Sequence, residues 1–148
     1  MTGGSFGGKL DISVQCFLGL AAWKLGRPVK MVYDRKESFV ATVKRHPFEM
    51  HYTSAVSRTG KLLAVKARII GDTGAYASYG PATLNRAAVH ATGPYEVPNV
   101  DIEAYCVYTN NPPSGAMRGF GTPQTAFACE SQMDLLARVL AIRRRNVF

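Results

Sequence analysis

Phe48-Glu49-Met50-His51-Tyr52-Thr53-Ser54-Ala55-Val56 is followed by Ser57-Arg58-Thr59-Gly60-Lys61 and then by Leu62-Leu63-Ala64-Val65-Lys66-Ala67-Arg68-Ile69. Phe48, Met50, Tyr52, Ser54 and Val56 alternate with their neighbours, and so do Leu63, Val65, Ala67 and Ile69. Two period-2 runs around a glycine-bearing turn predict a β-hairpin with one apolar face. Gly71-Asp72-Thr73-Gly74-Ala75-Tyr76 ends the second strand, where the glycines suggest a bend or bulge.

Before the hairpin, Leu10 to Leu25 reads as a helix that is apolar around most of its circumference. Such a helix is expected to be buried between other elements. Gly26 suits its C-cap, and Pro28 forbids continuation. Val29 to Tyr33 reads as a short strand, and Arg35 to Val43 as a short helix. Asp34 and Glu37, set among Arg35 and Lys36, read as a surface ion-pair cluster.

After the hairpin, Pro81 to Thr92 is predicted to be a helix ending at Gly93-Pro94, with Arg86 and His90 on one face. Tyr95 to Asn99 is a connector, and Val100 to Tyr108 alternates as a strand. Thr122 to Leu140 is predicted to be a helix with Pro123 in its first turn. The expected class is α+β, a mixed sheet with packed helices in a single domain over residues 1–148.

The chain has 148 residues, 47% of them hydrophobic and 19% charged, a globular composition. Its net charge of +8 suits phosphate-bearing ligands or acidic partners. No zinc-finger, KH or RNP pattern accompanies the charge, so nucleic acid is not expected as a partner. Arg143-Arg144-Arg145 supplies three of the positive charges, and such a terminus is ordinarily solvated. Cys16, Cys106 and Cys129 lack any C-x-x-C spacing and read as buried free thiols. With no signal-peptide pattern or membrane-length apolar run, a cytoplasmic location is expected, with no membrane partner.

Two stretches carry the functional signal. Gly3-Gly4-Ser5-Phe6-Gly7-Gly8-Lys9 runs into the first helix. Gly115-Ala116-Met117-Arg118-Gly119-Phe120-Gly121 runs into the last. Helix N-termini preceded by bare backbone suit an anionic or polar ligand, and we expect the two loops to meet on one ligand. The first resembles a P-loop, but Leu10 stands where Mg²⁺ needs a hydroxyl, and no strand leads in. His46, His51 and His90 have no metal-ligand spacing, and no catalytic residue is identifiable. The chain opens on a glycine loop with no strand to frame it, so a piece of a larger polypeptide is expected.

Five motifs in order extend this reading: Gly3 to Lys9, Arg45-His46-Pro47, Gly71 to Tyr76, Pro94-Tyr95-Glu96-Val97-Pro98-Asn99, and Ala116 to Gln124. Together they resemble the molybdopterin-binding part of the molybdenum hydroxylases, the xanthine dehydrogenase and aldehyde oxidase family, over nearly the whole chain. The resemblance implies one lobe of a molybdenum-cofactor-binding domain in an enzyme that hydroxylates a heterocycle or aldehyde with water. It implies molybdopterin as the cofactor, with molybdenum held by the pterin dithiolene. Iron–sulfur clusters and FAD are implied on other domains or subunits, and these, with the rest of the molybdopterin subunit, would be the partners.

By the same resemblance Phe6, Gly7, Gly8, Ala116, Arg118 and Gly119 would bind the cofactor. Phe6 and Arg118 would lie near the metal through their backbone. Phe120 would stack on a flat substrate, and Arg86 would hydrogen-bond it. Purine-specific relatives have Glu where this chain has Leu10, which leaves xanthine unsupported. Carbon monoxide dehydrogenases have Cys where this chain has Gly119. The family's general-base Glu lies in no segment of these residues, so the chain alone is expected to be inactive. A segment that the family usually carries after Ile142 is shortened to Arg143-Arg144-Arg145-Asn146. The alternative reading is a non-catalytic fragment or interaction module that keeps the fold and binds no cofactor.

Overall fold

The computed structural model describes residues 4–142. The hairpin forms as strands β2 (Phe48–Val56) and β3 (Leu62–Asp72), following β1 (Lys44–Arg45). A third strand, β4 (Val100–Val107), pairs with β3 in parallel, giving a mixed sheet of order β2-β3-β4. A parallel neighbour needs a crossover, and α3 (Gly80–Val89) supplies it. β1 pairs in parallel with β5 (Ser114–Gly115) as a separate ribbon. Helices α1 (Val14–Leu25), α2 (Arg35–Ala41) and α4 (Thr122–Val139) complete the α+β fold.

The hairpin departs from simple alternation at one point. Ala55 pairs with Ala64 and Val56 with Leu62, so Leu63 is left without a partner as a bulge. The extra residue flips the phase: Leu62, Val65, Ala67 and Ile69 are buried, while Leu63, expected inside, is exposed. The Leu63 carbonyl accepts from Asn99 Nδ2 at 2.9 Å, so the bulge is tied down.

The core has two parts. Ile69, Leu84 and Ala91 pack with Phe48, Met50, Tyr52 and Ile102. Leu62, Met133 and Ala137 pack with Tyr95, Val97, Leu136 and Ile142. Helix α3 therefore lies on the sheet beside α4, and α4 starts directly from the second glycine loop, with Gly121 as its N-cap.

Several expectations need correction. No residue of α1 is buried, although its composition predicted a buried helix. Apolar content creates a demand for cover, and no second surface within the described residues meets it. Val29 to Tyr33 forms no strand, because β-propensity without a pairing edge does not make one. Asp34 and Glu37 are a capping box rather than an ion-pair cluster. Asp34 Oδ1 accepts from Glu37 N at 2.7 Å, and Glu37 Oε2 accepts from Asp34 N at 2.8 Å. Of the three cysteines, all free, only Cys129 is buried. Gly26 caps α1 as expected, with φ of 61° and its N–H on the Ala22 carbonyl. No helix among the described residues is long and apolar enough to cross a membrane. Arg143-Arg144-Arg145-Asn146 falls outside the described residues.

Candidate cofactor-binding site

The two glycine loops meet. A Cβ added at Gly7 would lie 2.5 Å from the Ala116 carbonyl oxygen and 2.8 Å from Met117 N. Only glycine permits that approach, and Gly7 also has φ of 94°. The Arg118 guanidinium sits 4.6 Å from the centroid of the Phe6 ring, a cation–π contact worth about 0.5–1 kcal/mol where exposed. The expected convergence near residues 6 and 118 is therefore present.

The loops share a local geometry. Phe6 (φ 53°) precedes Gly7, and Phe120 (φ 51°) lies between Gly119 (φ 84°) and Gly121 (φ 94°). A left-handed residue inside a turn gathers successive N–H groups on one side, a concavity suited to anions. Gly8 N closes the first loop on the Ser5 carbonyl at 2.9 Å, and Phe120 N closes the second on the Met117 carbonyl at 2.8 Å. Between them is an open hollow of about 420 Å³ lined by Phe6, Gly7, Leu10, Met117, Arg118, Gly119 and Phe120.

The segment that enters α3 braces both loops from behind the hollow's lining. Ser78 Oγ donates to Asp11 Oδ1 at 2.5 Å, holding the exit of the first loop. The Tyr79 ring meets Phe120 edge-on, with centroids 6.4 Å apart. A Cβ on Gly121 would lie 2.3 Å from the Thr83 carbonyl oxygen, so α3 abuts the start of α4. Arg86 is exposed on α3, one turn beyond Thr83, and the contacts joining the loops do not include it.

The Gly71 to Tyr76 motif sets the turn ahead of the second loop. Asp72 accepts from Thr109 Oγ1 at 2.6 Å, from Asn111 Nδ2 at 2.6 Å and from Gly74 N at 2.7 Å. These bonds, the Thr109 hydroxyl first, hold its carboxyl below the usual carboxylate range. Gly74 lets the Pro112 carbonyl approach closely, and Ser114 N donates to the Thr73 carbonyl at 2.9 Å. Burial keeps the His46 imidazole below its ordinary pKa, hence neutral.

Sequence reasoning located both loops but missed Asp11, Ser78 and Tyr79. Nothing local in the sequence marks them, because their partners are distant in the chain. Arg45 was within reach, since Arg45-His46-Pro47 stood out as a motif without a task. A larger groove of about 820 Å³ lies between the hairpin turn and Pro94-Tyr95-Glu96. It lacks paired glycine loops and is not the candidate site.

A flat polar group with a phosphate fits what the chain presents: two glycine loops brought together on one hollow that is lined by Arg118 and by the rings of Phe6 and Phe120. Among the described residues no cluster of three or more His, Cys, Asp or Glu side chains offers a metal site. Comparison with known proteins gives the family. The chain is 55% identical over 141 residues to the nicotinate dehydrogenase large molybdopterin subunit of Eubacterium barkeri, covering 95% of this chain and 33% of that protein. It is 45% identical to a probable xanthine dehydrogenase subunit from Bacillus subtilis, covering 98% of this chain and 20% of that protein. The fold superimposes on the aldehyde oxidoreductase from Desulfovibrio gigas with a TM-score of 0.89 at 34% identity, covering 97% of this chain and 16% of that one. The chain thus spans a third or less of these relatives. Residues 1–147 match the molybdopterin cofactor-binding domain, and the chain belongs to that family.

Proposed function

We propose that this chain forms part of the wall that grips molybdopterin in a molybdenum hydroxylase, and that the parent enzyme hydroxylates a small heterocycle or aldehyde with water. The observation that carries the reading is the contact of Gly7 with Ala116, which brings two amide-bearing loops onto one hollow. Phe6, Gly7, Gly8, Ala116, Arg118 and Gly119 would hold the cofactor, with Phe6 and Arg118 nearest the metal through their backbone. Bound there, the group supplies two-electron redox chemistry. The chain's own residues would orient it: backbone N–H groups of the two loops would hold its phosphate and polar edges, and Arg118 would add positive charge.

Phe120, held edge-on by Tyr79, would stack on a flat substrate, and Arg86 would reach its polar side. Leu10 makes one rim of the hollow apolar where purine-specific enzymes carry Glu. That favours a heterocycle needing no carboxylate partner there. Nicotinate is the first substrate to test, since Arg118 and Arg86 would both favour its carboxylate. Iron–sulfur and flavin domains or subunits, and the rest of the molybdopterin subunit, are the proposed partners, in the cytoplasm. The chain alone is inactive on this reading.

The test is metal and pterin analysis of the full-length parent protein, then a screen of nicotinate, purines and aldehydes. One pterin and one molybdenum per polypeptide, with turnover of one substrate class, is expected. A parent without pterin overturns the reading. Arg86→Met should raise the KM of an anionic substrate about ten-fold or more. Unchanged kinetics would remove Arg86 from the site.

A further inference from the structure

Arg45-His46-Pro47 is a sequence motif for which the proposed function gives no task. Pairing of β1 with β5 sets Arg45 opposite Gly115, at the root of the second loop. From there Arg45 Nη2 donates to the Arg118 carbonyl at 2.7 Å, and Nη1 reaches Gln124 Oε1 at 3.4 Å. Gln124 Nε2 donates back to the His46 carbonyl at 3.1 Å. The guanidinium, the loop and the first turn of α4 thus close into one ring. His46, only 3% exposed, anchors the strand from which Arg45 reaches.

Backbone accounting shows why the loop needs this hold. The Met117 carbonyl accepts from Phe120 N, the Gly119 carbonyl from Thr122 N at 3.1 Å, and the Gly121 carbonyl from Thr125 N. The Arg118 carbonyl is taken by Arg45 from outside the turn. Residues 119 to 121 all have positive φ, and for Phe120 that conformation costs about 1 kcal/mol or more. A strained run persists only when its surroundings impose it.

We infer that Arg45 is the positioning residue of the second glycine loop. Its planar fork fixes the Arg118 carbonyl. That sets the direction of the following amides and places the Arg118 side chain over Phe6. A lysine, a single point of charge, cannot serve Arg118 and Gln124 with the same geometry.

The inference rests on the reading that the loops grip a pterin, and one experiment separates the two. In the full-length parent protein, Arg45→Met, Arg45→Lys, Gln124→Leu and the charge control Arg58→Met, on the hairpin turn, are compared with the unaltered protein. Three quantities are read: pterin per polypeptide as its fluorescent oxidation product, hydrogen exchange of amides 116–121, and Tm. Arg45→Met is expected to lose pterin about ten-fold or more and to speed exchange by a similar factor, as removal of a hydrogen bond from a charged donor implies. Arg45→Lys should restore part of both, Tm should fall by only a few degrees, and Arg58→Met should match the unaltered protein. If Arg45→Met does not fold, Gln124→Leu, which removes the brace and keeps the Arg118 bond, should still lose part of the pterin. Unchanged pterin and exchange in Arg45→Met overturn the inference, as do unchanged values in Gln124→Leu where Arg45→Met does not fold. A collapse in Tm that lysine does not relieve also overturns it. Absence of pterin from the unaltered parent defeats the proposed function instead, and the exchange arm still reads the Arg45 bond.

Discussion

Helices α1 and α4 are both rich in apolar residues and meet opposite fates. α4 buries Thr125, Cys129, Met133 and Ala137, one residue every four positions, along a single stripe against β2 and α3. α1 carries Phe17, Leu20, Trp23 and Leu25, yet none is buried, and Trp23 is 80% exposed. The difference lies in supply. α4 presents modest side chains at a spacing that one neighbouring surface can accept. α1 spreads large side chains around its circumference, which only several neighbours together could cover. Apolar content measures the demand for burial, whereas the neighbouring surfaces decide whether it is met.

The sharpest way to test that contrast is to cut into the covered half. Ile69→Ala, at a fully buried position, should cost about 3–4 kcal/mol in urea unfolding. A loss below about 1 kcal/mol would mean that this core is no better packed than α1. Gly121→Ala comes next. Its Cβ would meet the Thr83 carbonyl at 2.3 Å, and φ is 94°, so about 2–3 kcal/mol should be lost as α3 and α4 part.

Asp72→Asn should cost about 1–2 kcal/mol at neutral pH, because Thr109, Asn111 and the Gly74 amide bond the carboxylate. The sign follows from the lowered pKa. The native state favours the ionised form, so the contribution is present above the unfolded value near 3.8. It is lost as pH falls through the lower folded value. The gap between Asp72→Asn and the unaltered chain should therefore close in strong acid. Trp23→Ala should have the smallest effect, under about 0.5 kcal/mol in this chain. A larger loss would show that α1 has found cover and would dissolve the contrast.

The sequence showed most of the fold wherever the signal was local. The hairpin, the three longer helices and β4 follow from periodicity, and Gly26 from its cap. It misled where tertiary context rules. Val29 to Tyr33 had strand propensity but no edge to join. The Leu63 bulge broke the first step of an alternation that holds at Val65, Ala67 and Ile69. The candidate site was half legible. Glycines beside Phe6 and Phe120 mark loops whose backbone must approach something closely, and Arg45 stood in a visible motif, whereas Asp11 and Ser78 act through partners far along the chain, and no local pattern encodes that.

Gly7 touching Ala116 has a consequence for assembly. The contact joins two regions with the hairpin, α3 and β4 between them, so neither region can shape the cradle by itself. The loop-closure entropy must be overcome first. A ligand gripped by both loops therefore binds only the completed arrangement and draws the population toward it. Loading with such a ligand would report the integrity of the intervening core, and damage as remote as the β3–β4 pairing would register as a loss of binding.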